Sequence, residues 1–254
     1  MSDQAALSDS KTVLITGGAT RIGAAICEVL HQAGFTVFLH YGNSENKAKL
    51  LQQEFNGLRD DSCFIFSQDL SHDDAVDNTV NWVSQHTNNL SLLINNASVF
   101  CPTPWGKAEP NQWQSIIKIN CEVPFFLSQA CLPLLEKSEN PCVINMIDVH
   151  AERSLEDHPI YSASKAALKS LTQSFAKDLG ASVRCNGISP GAILWPENEG
   201  EELSAGQKEM ILNKVPMQKI GGVENICQTV LFLAENDYVN GQVINVDGGR
   251  TVFS

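Results

Sequence analysis

Lys11-Thr12-Val13-Leu14-Ile15-Thr16-Gly17-Gly18-Ala19-Thr20-Arg21-Ile22-Gly23, followed by a helical pattern from Ala24 to Ala33, decides the fold. A short β-branched run stops at glycines, and apolar residues resume beyond them with helical spacing. Strand, tight turn and helix in that order form the first half of a dinucleotide-binding unit. Glycines let the backbone approach a pyrophosphate, and the helix start offers unpaired N–H groups and the positive end of its dipole. Gly17, Arg21, Ile22 and Gly23 are therefore candidate cofactor-binding residues.

The pattern then repeats. Thr36 to Tyr41 reads as a second strand, followed by Gly42-Asn43-Ser44 and a polar helix from about Glu45. An NAD site commonly carries an acid at the end of this strand for the ribose hydroxyls, and none stands before Glu45. Arg21, Asn43 and Ser44 can supply charge and hydrogen bonds to a 2′-phosphate instead, which favours NADPH. The alternative is that Asn43 and Ser44 merely cap the next helix while Glu45 turns to the ribose. Cys63 to Phe66 reads as a third strand with Asp69 and Leu70 at its carboxyl edge, ahead of a helix through Gln85. Ser91 to Ile94 reads as a fourth, ending in Asn95-Asn96-Ala97-Ser98. Cys142 to Ile147 and Val183 to Ser189 are further strands, the latter running into Pro190-Gly191, and Gln242 to Val246 is the last. Strands alternating with helices through short joins predict one α/β, doubly wound parallel domain with its ligands at the carboxyl ends of the strands. Residues 1–10 read as a flexible tail.

Within this frame, Tyr161 and Lys165 stand four apart in a run of helix formers, so they share one face. An ammonium beside a phenol favours the phenolate, so Lys165 is expected to lower the Tyr161 pKa. Asp148 lies thirteen residues before the tyrosine, just past a buried strand. A long helix is expected from about Glu109 to Lys137, with Asn120 among apolar neighbours, where a buried amide must bond a loosened turn or hold a water. The loop Val99 to Trp105 is too apolar for a plain surface turn. Phe100 can stack a planar heterocycle, or Phe100 and Trp105 can pack on the core as a lid. Pro196 to Gln207 reads as a mobile cover over a substrate.

The net charge of −12 over 254 residues argues against DNA, RNA or anionic membrane as partners. No apolar stretch reaches the roughly 18 residues of a membrane span, and the polar start lacks a signal-peptide core, so a cytoplasmic protein is expected. The eight cysteines show no C-x-x-C pair or zinc spacing, so no metal is expected and most read as buried thiols. Cys101 is the exception, beside proposed pocket residues.

Thr16-Gly17-x-x-x-x-x-Gly23, Asn95-Asn96-Ala97, Asn120, Tyr161-x-x-x-Lys165, Pro190-Gly191 and Asp247-Gly248-Gly249 resemble the short-chain dehydrogenase/reductase family in order and spacing. The resemblance implies a single Rossmann-type domain with a seven-stranded parallel sheet, assembled as a homotetramer through its two long helices. Three positions depart from the common pattern: Asp148 replaces Ser, Arg21 replaces Gly, and Ser98 replaces Gly. Together with His40-Tyr41-Gly42-Asn43-Ser44 and Ser98-Val99-Phe100-Cys101-Pro102-Thr103-Pro104, they resemble the pteridine reductase subgroup. This implies NADPH-dependent reduction of a pterin or folate. The cofactor would be bound by the residues above together with His40, Tyr41, Asn96, Ala97, Ser98, Tyr161, Lys165, Pro190 and Gly191. The pterin would lie against Phe100, with Arg21, Ser98, Asp148, Tyr161, Leu194 and Trp195 around it, and Asp148, Tyr161, Lys165 and Asn120 would form the catalytic group. The carboxyl is suited to a C=N bond, whose nitrogen needs a proton; a carbonyl needs only a hydroxyl to hold its oxygen. The rival readings are a dihydromonapterin or dihydrofolate reductase of the same build, a 3-oxoacyl or carbonyl reductase, and an idle NADPH-binding sensor.

Overall fold

A computed structural model describes residues 11–194 and 204–252. Seven strands, β1 (Thr12–Ile15), β2 (Thr36–Tyr41), β3 (Cys63–Ser67), β4 (Leu92–Asn95), β5 (Cys142–Met146), β6 (Arg184–Pro190) and β7 (Val243–Val246), form one sheet. Its order is β3-β2-β1-β4-β5-β6-β7, with every pairing parallel. The expected seven-stranded parallel architecture is what forms. The chain order reverses between β1 and β4, and that crevice, at the carboxyl ends of the strands, is where such sheets take ligands.

Alternation along each strand builds two cores, because successive side chains point to opposite faces. Val13, Ile15, Val37, Leu39 and Ile144 pack on one side with α1 (Arg21–Gln32), α2 (Glu45–Leu58) and residues of the later α8 (Val223–Glu235). Leu14, Phe38, Leu93 and Val143 pack on the other with α3 (Ala75–His86), α5 (Val123–Leu135) and α6 (Pro159–Leu179). In the sheet centre two amides brace neighbouring strands: Asn95 Nδ2 donates to Asn145 Oδ1 at 2.8 Å, and also to Ser128 Oγ of α5 at 3.2 Å.

Two expectations are corrected. The single helix over 109–137 is three pieces: α4 (Pro110–Ile117), a π-helical turn Lys118–Glu122, and α5. Pro124 explains the break, since it has no N–H to give the carbonyl four residues back, that of Asn120. Val123 N–H bonds instead to Lys118 O, the wider π register. The stretch read as a mobile cover to Gln207 ends in helix α7 (Ala205–Leu212). Ser204 Oγ accepts from Gln207 N at 3.3 Å, and Gln207 Oε1 accepts from Ser204 N at 2.9 Å, a capping box that Ser-x-x-Gln spells in the sequence. Trp195 and the rest of that stretch lie outside the described residues, as does the 1–10 tail. Among the described residues no helix is long and apolar enough to cross a membrane, and no three His, Cys, Asp or Glu side chains gather as a metal site.

Candidate active site

The glycine-rich turn is held from below by side chains. Gly17 has φ +65°, and a Cβ on Gly23 would sit 2.2 Å from Gly17 O and 2.7 Å from Asn96 Nδ2, so no larger residue fits. Gly17 N–H donates to His40 Nδ1 at 3.2 Å, so the ring proton belongs on Nε2, which meets Gln68 O at 2.8 Å. Burial lowers the His40 pKa, which keeps the ring in this neutral form. Asn96 Nδ2 donates to Thr16 O at 2.9 Å and Gly17 O at 3.0 Å, while the Asn96 and Ala97 N–H groups reach Thr16 Oγ1 at 3.0 Å. His40 and Asn96 thus serve the turn, with both ring nitrogens and the amide already engaged. Arg21, exposed at the first position of α1, has φ +52°, a left-handed conformation that favours glycine.

At the rim, Ser44 is the N-cap residue of α2, yet its side chain makes no capping bond. Asn43 is exposed beside it. Glu45 pairs with Lys49 at 2.7 Å along the helix surface. The hydroxyl is therefore not consumed by the helix, and the acid is committed to a lysine. Asp69 Oδ1 accepts from Ser71 N at 2.9 Å, which lowers its pKa, and Leu70 is buried. Pro190 ends β6, and Gly191 lies so close to Asp247 that a Cβ would be 2.7 Å from its Cα. Leu194 is partly exposed at the end of the first described segment.

Asp148, Tyr161 and Lys165 meet beside the end of β5. Tyr161 Oη donates to Asp148 Oδ2 at 2.9 Å, and His150 N donates to Asp148 Oδ1 at 2.8 Å. Lys165 Nζ donates to Met146 O at 2.8 Å and lies 5.8 Å from the centre of the Tyr161 ring. Burial, reinforced by the Asp148 carboxylate, pushes the Tyr161 pKa well above its ordinary value. The expected lowering by Lys165 is reversed: the ammonium faces a carbonyl, and the phenol faces an acid. Burial also draws Lys165 down to about 8, so it is charged at neutral pH but not far above it.

Asn120 sits at the centre of the π turn, fully buried. Its Oδ1 accepts from Val99 N at 2.8 Å and Ser98 Oγ at 3.1 Å; its Nδ2 donates to Val99 O at 2.9 Å and Ser164 Oγ at 3.1 Å. All four bonds are spoken for, so the side chain clamps the 98–99 loop to α6. The expected bond from this amide to its own loosened turn is not what forms: its four partners belong to the 98–99 loop and α6.

Phe100 is 57% exposed and Trp105 89%, so neither is a lid on the core. One face of Phe100 stacks on His158, with centroids 4.5 Å apart and planes 14° from parallel, and Tyr161 meets it edge-on at 4.8 Å. His158 and Ser164 are site residues that the sequence reading did not single out.

A family model described as enoyl-(acyl carrier protein) reductase matches residues 17–251. The 3-oxoacyl-[acyl-carrier-protein] reductase of Thermotoga maritima is 30% identical over 247 residues, 96% of this chain and 99% of the relative. Pteridine reductase 1 of Leishmania tarentolae is 30% identical, covering 94% of this chain and 96% of its own. The chain belongs to the short-chain dehydrogenase/reductase family. Dihydromonapterin reductase of an Enterobacter species is a further relative, 29% identical over 94% of this chain. As a short-chain dehydrogenase/reductase it is an oxidoreductase that uses a nicotinamide cofactor. Its own residues fit that group: a glycine turn that no Cβ could share, a helix start behind it, and a serine hydroxyl at the rim not used for capping.

Proposed function

We propose that this enzyme reduces pterins with NADPH, dihydrobiopterin-like substrates first and dihydromonapterin or dihydrofolate as siblings. The observation that carries the reading is the Tyr161–Asp148 hydrogen bond. Gly17, Ile22 and Gly23 would hold the cofactor's pyrophosphate, and Arg21, Asn43 and Ser44 its 2′-phosphate. When bound, the nicotinamide supplies a hydride. Asp148 and Tyr161 hold one proton between Oδ2 and Oη, and they pass it to a ring nitrogen of the substrate. Tyr161 starts protonated, the state a reduction needs. Lys165, charged at neutral pH, offsets the negative charge left on the pair. Ser98, whose proton is directed to Asn120, accepts from N–H groups on the substrate edge. A ketone substrate is served poorly, since a carboxylate beside its oxygen repels it where a serine would bond it. The α5 and α6 faces, which enclose an apolar groove of about 210 Å³ lined by Phe125, Leu132, Leu171 and Phe175, would carry the homotetramer contacts.

The test follows NADPH oxidation with dihydrobiopterin, dihydromonapterin, dihydrofolate and a 3-oxoacyl thioester at matched concentrations. Pterin turnover is expected. Asp148→Ala and Asp148→Ser should lower it about a hundred-fold or more with NADPH affinity retained. Turnover of the thioester alone, or undiminished pterin reduction by either variant, would sink the assignment.

A further inference from the structure

His158 stands where a helix start wants another residue. It occupies the N-cap of α6, and its side chain makes no capping bond. Serine, threonine, aspartate and asparagine are the residues that stabilise that position. Its imidazole is committed elsewhere, flat against Phe100 at 4.5 Å and 14°. Two bonds fix it there: His158 Nδ1 meets Glu156 O at 2.7 Å, and its N–H donates to Leu155 O at 3.1 Å. Around it the two loops are tied again, because Thr103 N donates to Asp157 O at 2.6 Å, with Asp157 itself at φ +58°.

Phe100 needs this support. It is mostly exposed, on a loop, and among the described residues its one other aromatic contact is with Tyr161. An unsupported ring on a loop would sample several rotamers, and a ligand would have to order it on binding. With His158 against one face, only the opposite face is available to a planar heterocycle, and the edge contact sets the platform beside Tyr161.

We infer that His158 is a positioning residue for substrate: it pins Phe100 from behind so that the ring presents one fixed face for a planar, nitrogen-rich heterocycle. This rests on the reading of the site as a pterin reductase. A stacked aromatic pair of this kind contributes an amount that corresponds to about a three- to ten-fold effect on binding. The effect falls on substrate binding, since among the described residues the hydrogen bonds and ring contact of His158 are to Glu156, Leu155, Ser162 and Phe100.

Steady-state kinetics on the whole enzyme with NADPH and dihydrobiopterin tests it. His158→Ala should raise the pterin KM by about three- to ten-fold, with kcat within about two-fold and the NADPH KM unchanged. His158→Phe, which keeps a flat ring but no nitrogen, should restore the pterin KM. An unchanged pterin KM in His158→Ala overturns the inference. So does a lower KM, which would mean that the imidazole occupies the substrate's own face. If His158→Phe matches His158→Ala, the bond to Glu156 matters rather than the stacking, and the inference falls. A wild-type enzyme that turns over no pterin removes the premise and the inference together, whereas the other three outcomes leave the pterin reading standing.

Discussion

Arg21 shows how a single position records a conflict between backbone and chemistry. Its φ of +52° is one that an L side chain adopts at a cost of about 1 kcal/mol, and glycine at almost none. A guanidinium at the mouth of an anion-binding turn is the reason to keep it, under the NADPH reading. Arg21→Gly and Arg21→Ala both remove that charge, so both should raise the NADPH KM. They should differ in stability, with Arg21→Gly the more stable by about 1 kcal/mol in urea denaturation; equal midpoints would show that the strain is absent. The positions of Asp148, Tyr161 and Lys165 were legible in the sequence, because helical spacing and the strand end restrict where such side chains can go. The protonation state of Tyr161 was not, since it depends on burial and on Lys165 Nζ turning to Met146 O. Nor was the role of His158, which exists only through the packing of two loops distant in sequence.

At the scale of elements, the central strands β1, β4 and β5 were readable because they are short, largely apolar runs buried on both sheet faces, while β6 is buried yet carries Arg184, Asn186 and Ser189, and the edge strands β3 and β7 are only partly buried. The stretch from Pro110 to Leu135 was not, because its apolar spacing runs through the π turn without interruption. A signal did exist: Pro124 follows Asn120 by four residues and deprives its carbonyl of the α-helical donor. The turn sets Asn120 where it bonds Ser98, both backbone groups of Val99, and Ser164. Asn120→Ala should therefore cost about 2 to 4 kcal/mol, since buried partners lose their bonds together. Amide exchange at Val99 should also accelerate, and pterin turnover should fall with the loosened loop. Asn120→Asp keeps the two acceptor bonds and loses the two donor bonds, so its stability should lie between. Wild-type exchange at Val99 in Asn120→Ala would rule out the clamp.

For the whole molecule the decisive titrating groups lie in the core rather than in the active site. Cys27, Cys63, Cys131, Cys142 and Cys185 are at most 1% exposed. Burial pushes Cys63 and Cys131 up to about 12 and Cys142 to about 11, and raises Cys27 and Cys185 well above the ordinary 9.0. Above pH 9 the unfolded thiols release protons that the native ones retain, so stability is full below 9 and falls as pH rises toward 12. At pH 10 each of Cys63, Cys131 and Cys142 costs about 1 kcal/mol, and Cys27 and Cys185 act in the same direction. Lys165 acts in the opposite direction. Its native value of about 8 lies below the ordinary 10.5, so the unfolded chain holds its proton longer and stability rises between those limits. That gain is about 2 to 3 kcal/mol at pH 10, less than the combined loss at the five thiols. Urea denaturation under reducing conditions should thus show a marked fall in stability from pH 8 to 10. Lys165→Met should steepen the fall by about 2 kcal/mol, and Cys131→Ala should make it shallower by about 1 kcal/mol while costing cavity energy equally at both pH values. A pH 8 to 10 profile identical in wild type and Cys131→Ala would mean that the core thiols do not govern alkaline stability.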